Sequence, residues 1–450
     1  MKAIILAAGE GKRMNSKLPK VLHKVLGKTM ISHVITTAKS AGALECVVVV
    51  GHMSEKVESG IELEFSDIGF VEQQSQQGTG HAVMMAERYL DDESDILILY
   101  GDVPTIRKQT IESLRDFHIH EGNSATVAST YVEDATGYGR IVRKKECVSI
   151  IEHKDAQGDV LEINEINTGI YIFKGSALKR ALKELKPQNA QGEYYLTDTI
   201  EILSKMGEKV SAKKFEDASE FLGVNDRIQL SDAIKNLQSR INKQHMLNGV
   251  TVIDPSTTYI STEVTIGMDT IIYPNSVLEG KTEIGENCKI GPNAKLNNTT
   301  LKDGVVFEYS VCTDSTVGSD TTVGPFAYIR PNSRIGENCK IGDFVEVKNS
   351  EIGNNTKVSH LSYIGDSDFG NNINVGCGTV TVNYNGKKKY RTKVEDDAFI
   401  GCNANLIAPV TVKREAFVAA GSTVTEDVPE KSLAIARAHQ CNKQNWSLKP

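Results

Sequence analysis

The segment EIGENCKIG at 283–291 returns almost unchanged as RIGENCKIG at 334–342. Around both copies an aliphatic residue recurs every six positions. The first run is Ile260, Ile266, Ile272, Leu278, Ile284, Ile290 and Leu296. The second is Val317, Val323, Ile329, Ile335, Ile341 and Val347, and the third is Val394, Ile400, Leu406, Val412, Val418 and Val424. A helix cannot keep that period on one face, and a flat strand alternates its side chains with period two. A three-sided parallel β-coil can keep it, because each side is one short strand, its aliphatic residue points inward, and the next residues make the corner. No single coil buries its own core, so the repeat is a stacking device. Glycine often follows the aliphatic residue, as at Gly285 and Gly336, and reads as a corner residue tolerant of a sharp backbone path. Two irregularities interrupt the pattern. Between Leu296 and Val317 the spacing slips towards five, which reads as a local bulge. Between Val375 and Val394 the period is lost across GCGTVTVNYNGKKKYRTK, which reads as a loop thrown out of the stack, and such loops commonly carry function.

The 450 residues are too many for one ordinary core. Residues 1–225 alternate aliphatic runs of strand length, such as Ala3–Leu6, Cys46–Val50 and Asp95–Tyr100, with helical patterns. That alternation predicts a mostly parallel sheet with helices on both faces, an α/β Rossmann-like domain. Ligands of such sheets bind at the carboxyl ends of the strands, so the loops after Leu6, Val50 and Tyr100 are the ones to inspect. Within 226–248, Leu230, Ile234, Leu237 and Ile241 form one apolar helical stripe that stops at Gly249, which predicts a linker helix. The hexapeptide-repeat domain then occupies 249–450.

The net charge of −7 argues against a general nucleic-acid or anionic-membrane binder. There is no run of 18 apolar residues, and Met1 to Leu6 leads directly into glycine-rich sequence, so neither a secretory leader nor a membrane span is expected and the chain should stay in the cytosol. No two of the eight cysteines form a CxxC pair, which excludes zinc-ribbon and thioredoxin readings. Most stand beside aliphatic residues and are expected as buried, reduced thiols.

The loop after the first strand, LAAGEGKRM at 6–14, is not a P-loop and lacks the third glycine of the dinucleotide fingerprint. Its glycines allow close approach to a phosphate, and Lys12, Arg13 and Lys20 supply positive charge. Asp102 follows the strand Asp95–Tyr100, where it can hold Mg²⁺ or merely cap the strand. Gln73 with Gly78, Thr79 and Gly80 offers an amide for a base edge and open backbone for a sugar. GYGR at 137–140, Glu152 and EINTG at 165–169 offer polar groups for sugar hydroxyls.

Together LAAGxGxRM, LPK at 18–20, GTGHA at 78–82, Gly101-Asp102, GYGR and GVND at 223–226 resemble the sugar-1-phosphate nucleotidyltransferases. With the hexapeptide half included, the chain resembles over nearly its full length the bacterial bifunctional N-acetylglucosamine-1-phosphate uridylyltransferase/glucosamine-1-phosphate N-acetyltransferase family. That resemblance implies a left-handed parallel β-helix, homotrimers, and two-step synthesis of UDP-N-acetylglucosamine for cell-envelope polymers from small-molecule substrates. It implies that Leu6, Ala7, Ala8, Gly9, Gln73, Gly78 and Thr79 hold the uridine nucleotide and that Lys20 meets phosphate. Tyr100, Gly101, Gly139, Glu152, Asn167 and Asn225 would line the sugar side, and Asp102 and Asn225 would share Mg²⁺. Lys12 departs from the family's usual Thr or Ser and should change only the loop surface. The chemistry agrees, since a sugar phosphate is already ionised and attacks the α-phosphorus of UTP without a general base.

Residues 251–438 contain a single histidine, His360. Zinc carbonic anhydrases on such a prism need three histidines per metal, so that reading fails. Acetyl transfer from a thioester to an amine needs a base, for which histidine suits neutral pH, and a donor to the oxyanion. The resemblance makes His360 that base and makes Arg330, Lys348, Tyr363, Asn374 and Lys389 binders of glucosamine 1-phosphate. It assigns Cys377, Asn383, Tyr384, Cys402, Ala420 and Arg437 to acetyl-CoA. Cys377 and Cys402 stand where many relatives have Ala and Ser. A thiol at 377 should be tolerated if the backbone N–H does the work, while the weaker hydrogen-bonding group at 402 should loosen CoA. Two rival readings stay open at this stage: a single-activity nucleotidyltransferase whose prism is only a scaffold, and a non-catalytic hexapeptide assembly protein.

Overall fold

The computed structural model describes residues 1–144, 147–444 and 446. It divides into two compact units, Met1–Leu237 and Gln238–Pro450.

In the first unit the strands lie in the order Val210–Phe215, Ala125–Tyr131, Glu165–Lys174, Asp95–Tyr100, Lys2–Leu6, Glu45–Val50 and Ile68–Glu72. Neighbours are parallel except around Glu165–Lys174, which runs antiparallel to both of its partners. A hairpin of Arg140–Lys144 and Cys147–Ile151 attaches to it through Ile166. The aliphatic runs are buried because helices cover both faces. Ile31, Val34 and Leu114 pack on one side, and Val83, Leu178 and Ile200 on the other. This is the α/β layer architecture that unbroken apolar strands demand. Helix Arg227–Leu247 begins here, with Leu230, Ala233, Ile234 and Leu237 packed on Met14, Val25 and Met30.

In the second unit the remaining turns of that helix cover the first coil of a prism. The buried amides of Gln238 and Asn242 donate to the carbonyls of Pro255 and Thr258 at 2.8–3.1 Å, which satisfies the coil's otherwise open end. The helix stops before Gly249, whose φ is 91°. Two sides of the prism merge into one 19-stranded parallel sheet and the third is a nine-stranded sheet. Each coil places its inward residue over the last, as in Ile272↔Ile290 and Leu278↔Leu296. The inward residues form one continuous core from Val250 to Val428.

Gly291 and Gly324, after Ile290 and Val323, take positive φ of 96° and 108° as corner glycines, but most of the others do a different job from the one expected. The corners at positive φ are turned mainly by Asn and Asp, such as Asn287, Asn338 and Asn355 on one edge and Asp314, Asn332, Asn349 and Asp366 on a second. These short polar residues tolerate the left-handed region. A third edge carries Tyr309, Phe326, Phe344 and Leu361 at positive φ, all exposed. Gly285 and Gly336 are not among the positive-φ residues. They are glycine because the coils stack too closely for a side chain: a Cβ on Gly336 would stand 2.4 Å from Asn354 Oδ1 and 2.9 Å from the Gly353 carbonyl carbon.

Both irregularities also resolve differently. Leu296 pairs in register with Cys312 and Leu301 with Val317, so the coil there is shortened and carries no bulge. The lost period hides an intact strand, Val380–Val382, in register with Asn405–Ile407. Thr381 takes the inward aliphatic place and is fully buried, so only 383–391 leaves the stack. Cys46, Cys288, Cys312 and Cys339 are buried free thiols, but Cys377, Cys402 and Cys441 are exposed, against expectation. Cys377 and Cys402 each come two residues after an inward aliphatic, Val375 and Ile400, where the chain is rounding an edge. The Cys147 side chain lies outside the described ones. Among the described residues no helix is long and apolar enough to cross a membrane.

Candidate active sites

The carboxyl ends of the central parallel strands open into a cavity of about 340 Å³. Its walls bring together the stretch Leu6 to Gly9, Lys20, Gln73, Gly78, Thr79, Tyr100 and Asp102, together with Gln76 and Glu193, which the sequence reading did not single out. The loop is held open by backbone pairing, Ala7 N–H to Val49 O at 2.8 Å and Gly101 N–H to Leu6 O at 2.9 Å, and by Gln76 Nε2 to Ala8 O at 2.6 Å. Gln73 is buried and its amide donates to Gly78 O at 3.0 Å. Gly78 has a φ of 104°, and a Cβ there would collide with the Tyr194 carbonyl at 2.5 Å. Thr79 Oγ1 accepts from Leu196 N–H at 3.1 Å.

Beside the cavity lies a polar group built on the antiparallel strand. Asn167 N–H donates to Gly139 O at 2.8 Å, and Asn167 Nδ2 donates to Tyr171 Oη at 2.7 Å. A Cβ on Gly139 would sit 3.4 Å from Glu152 Oε1, and Glu152 accepts from Thr197 Oγ1 at 3.1 Å. Burial raises the Glu152 carboxyl above its usual range. Burial, and then Glu152 itself, push Asp198 up to about 6. Burial, and next the Glu152 charge, also raise the Tyr100 phenol, keeping it a neutral hydrogen-bonding group.

Lys20 marks a cation position. Its ammonium pairs with Asp102 Oδ2 and lies 3.2 Å from Asn225 Oδ1. Asn225 is fixed by its N–H donating to Gln229 Oε1 at 2.7 Å, and Val224 N–H donates to Asp102 O at 2.9 Å. A carboxylate and an amide oxygen facing one positive group are the hard donors that Mg²⁺ prefers, so the residues present fit that ion. Lys12 and Arg13 do not reach the cavity. Lys12 pairs with Glu10 at 2.5 Å and is 84% exposed.

On the prism, His360 is in register with Asp343 one coil before it. The Gly378 N–H to Leu361 O bond sets Cys377 one coil after His360, and the bonds of Asn403 N–H to Cys377 O and Gly421 N–H to Cys402 O continue the same edge. His360, Cys377, Cys402 and Ala420 therefore form one column, with Arg437 beside Gly421 at its end. His360 Nδ1 lies 2.8 Å from Asp343 Oδ1.

A second cluster stands past the Leu361 corner. Lys348 Nζ is 3.2 Å from Asp366 Oδ2, Asn349 Nδ2 donates to Asp366 Oδ1 at 2.6 Å, and Asn383 donates to the same carboxylate. Asn383 Nδ2 is also 3.4 Å from Tyr363 Oη. The neighbouring Lys348 ammonium, and further off Arg330, hold the Lys389 amine below its usual range. Arg330 is paired with Glu346 at 2.7 Å. Three cations thus face few carboxylates, an arrangement suited to a phosphate. Tyr384 is exposed on the loop, with its Oη donating to Gly386 O at 2.7 Å. Asn374 joins neither the cation cluster nor the His360 column. It lies between Lys357 and Phe399 on its own strand row. Asp343 and Asp366 were missed in the sequence, although each lies 17 residues, one coil, before a residue that was singled out.

Residues 2–224 match the nucleotidyl transferase family. Residues 263–307 and 314–349 match bacterial transferase hexapeptide repeats, and 391–426 match the hexapeptide repeat of succinyl-transferase. The chain is 52% identical over 450 residues to the bifunctional protein GlmU of Acetivibrio thermocellus, spanning 99% of this chain and 97% of that one. It is 54% identical over 450 residues to the bifunctional protein GlmU of Alkaliphilus oremlandii, spanning 99% and 98%. The GlmU of Caldanaerobacter subterraneus is 52% identical over 446 residues. Motifs, two unlike folded units and full-length similarity agree: this chain belongs to the bifunctional GlmU family of uridylyltransferase–acetyltransferases.

Proposed function

We propose that the two units work in series to make UDP-N-acetylglucosamine, a precursor of envelope polymers, in the cytosol. In the prism, residues 249–450, the amine of glucosamine 1-phosphate attacks the acetyl carbonyl of acetyl-CoA. A C–N bond forms, the C–S bond breaks, and CoA leaves as the thiol. His360 takes the amine proton. Arg330, Lys348 and Lys389 receive the acceptor's phosphate, Tyr363 and Asn374 its sugar, and Cys377, Asn383, Tyr384, Cys402, Ala420 and Arg437 the CoA. In residues 1–225 a phosphate oxygen of the acetylated sugar attacks the α-phosphorus of UTP and pyrophosphate leaves. The stretch Leu6 to Gly9, Gln73, Gly78 and Thr79 hold the nucleotide. Tyr100, Gly101, Gly139, Glu152 and Asn167 orient the sugar, and Lys20 meets phosphate. Asp102 and Asn225 hold Mg²⁺, which when bound neutralises charge developing on the phosphates. The observation that carries the two-activity reading is the column in which the only histidine of 251–438 stands beneath Cys377, Cys402 and Ala420. A mere scaffold has no use for it.

The His360 column and the cation cluster occupy different sides of one prism. A complete acetyl site then takes its parts from neighbouring copies, which supports a homotrimer. The exposed ladder of Tyr309, Phe326 and Phe344, with ring centroids 5.6–5.7 Å apart, is apolar surface for that contact. Sedimentation should give three chains per particle. The decisive assay mixes glucosamine 1-phosphate, acetyl-CoA, UTP and Mg²⁺ and omits each in turn. Thiol release without UTP, and pyrophosphate release only with UTP and acetylated sugar, are expected. Thiol release that never appears leaves only the scaffold reading for the prism.

A further inference from the structure

Asp343 and His360 occupy the same outward position on successive coils, paired in register and joined at 2.8 Å between Oδ1 and Nδ1. Register alone does not make this contact. The flanking outward pairs on the same two strands are Lys340↔Lys357 and Glu346↔Tyr363. Asp343 is the carboxylate that the stack brings to the imidazole.

We infer that Asp343 is a positioning residue for acetyl transfer, holding His360 as the tautomer that carries its proton on Nδ1 and leaves Nε2 free to accept one. An ionised carboxylate only accepts hydrogen bonds, so the nitrogen facing it must be N–H, and the basic lone pair is then on the other nitrogen. The His360 ring supports its carboxyl below the usual range, followed by a backbone N–H and then the Lys340 charge, so Asp343 stays ionised wherever the imidazole is neutral. Its negative charge also favours the imidazolium formed when the amine proton is taken. The other titratable or charged groups on these strands are Lys340, Glu346 and Lys348 on that of Asp343 and Lys357 and Tyr363 on that of His360, with Cys377 on the coil after. The one other carboxylate among them, Glu346, is in register with Tyr363 and paired with Arg330 at 2.7 Å, so within this group Asp343 is the one that meets the imidazole.

This inference rests on His360 being the base, and the experiment separates the two claims. Full-length Asp343→Asn, Asp343→Ala, Asp343→Glu and His360→Ala variants are assayed for thiol release across pH, with uridylyl transfer and thermal melting as checks of folding. His360→Ala should abolish thiol release. Asp343→Ala should lower kcat about 10-fold with both KM values within about twofold, well inside the range general-base catalysis supplies. Asp343→Asn should lower kcat in the same way with both KM values unchanged, and Asp343→Glu should restore part of kcat. An active His360→Ala overturns the base assignment and this inference with it. An inert His360→Ala beside Asp343→Ala with wild-type kcat overturns the inference alone. So does a fall in kcat that comes with raised KM values and lowered melting and that Asp343→Glu does not partly restore, since that is what a purely structural aspartate would give.

Discussion

Two buried threonines of the prism are predicted to respond in opposite directions to the same substitution. Thr381 and Thr392 are both fully inaccessible; Thr381 takes an inward aliphatic place, and Thr392 stands two residues before the inward Val394, in register with Val410. Replacing either with the isosteric Val swaps a hydroxyl for a methyl. Thr381 Oγ1 accepts from Gly365 N–H at 2.7 Å and lies 3.1 Å from Gly365 O and 3.3 Å from Tyr363 O. In Thr381→Val the Gly365 N–H is left buried without an acceptor, at about 1–3 kcal/mol. The added apolar group offsets about 0.8 kcal/mol of that. The net loss is about 0.2–2.2 kcal/mol, or up to roughly 9 °C in Tm for a unit of this size. Thr392 Oγ1 has no hydrogen-bond partner among the described residues. Thr392→Val removes a buried polar group that nothing satisfies and should stabilise by about 1–2 kcal/mol. The assay is urea unfolding of the full chain at one protein concentration, followed by near-UV signal and by thiol release, since assembly makes the midpoint concentration-dependent. Midpoints moving the same way in both variants would refute the reasoning, because it would mean that pattern and not hydrogen-bond satisfaction governs these positions.

Asp102→Asn should reduce uridylyl transfer about 10²–10³-fold, the scale of losing one preorganised electrostatic group, while thiol release from acetyl-CoA is unchanged. Measuring both in one preparation shows whether the activities separate by unit. Gly336→Ala should destabilise the prism by about 1–3 kcal/mol through overpacking against Asn354, whereas Ala at Gly9, where nothing stands within 4 Å and φ is not positive, meets neither clash nor backbone strain; the midpoint of unfolding distinguishes them. Asp198, pushed up from its ordinary 3.8 to about 6, keeps in the folded state a proton that the unfolded chain releases. Its contribution to stability therefore falls as pH rises from about 4 to about 6. Wild type should lose ground to Asp198→Asn across that window in urea midpoints, and parallel curves would count against a buried, proton-holding Asp198.

Much of the architecture was legible because it depends on burial that repeats along the chain. A period of six has one economical solution, and the aliphatic residues named from it, from Ile260 to Val424, line a single core. Aliphatic runs such as Asp95–Tyr100 announced strands covered on both faces. The phosphate-facing loop and Asp102 were legible for a related reason: glycines and one acid at a strand's carboxyl end mark where a parallel sheet receives ligands.

What the sequence could not disclose is which groups meet across coils and turns. Thr381 hid a strand because its hydroxyl is satisfied by the neighbouring coil, a fact invisible to a hydrophobic pattern. Glycines such as Gly285 and Gly336 looked like corner formers and proved to be required by the stacking distance, while Asn and Asp turn most corners. Asp343 with His360, and Asp366 with Lys348 and Asn383, are pairs 17 or 18 residues apart whose contact depends on how many residues each coil uses. Short-range composition and period belong to the sequence, since each residue's preference for water or core is its own. Register, charge pairing and space for a Cβ are properties of two chain segments at once, and only the folded stack decides them.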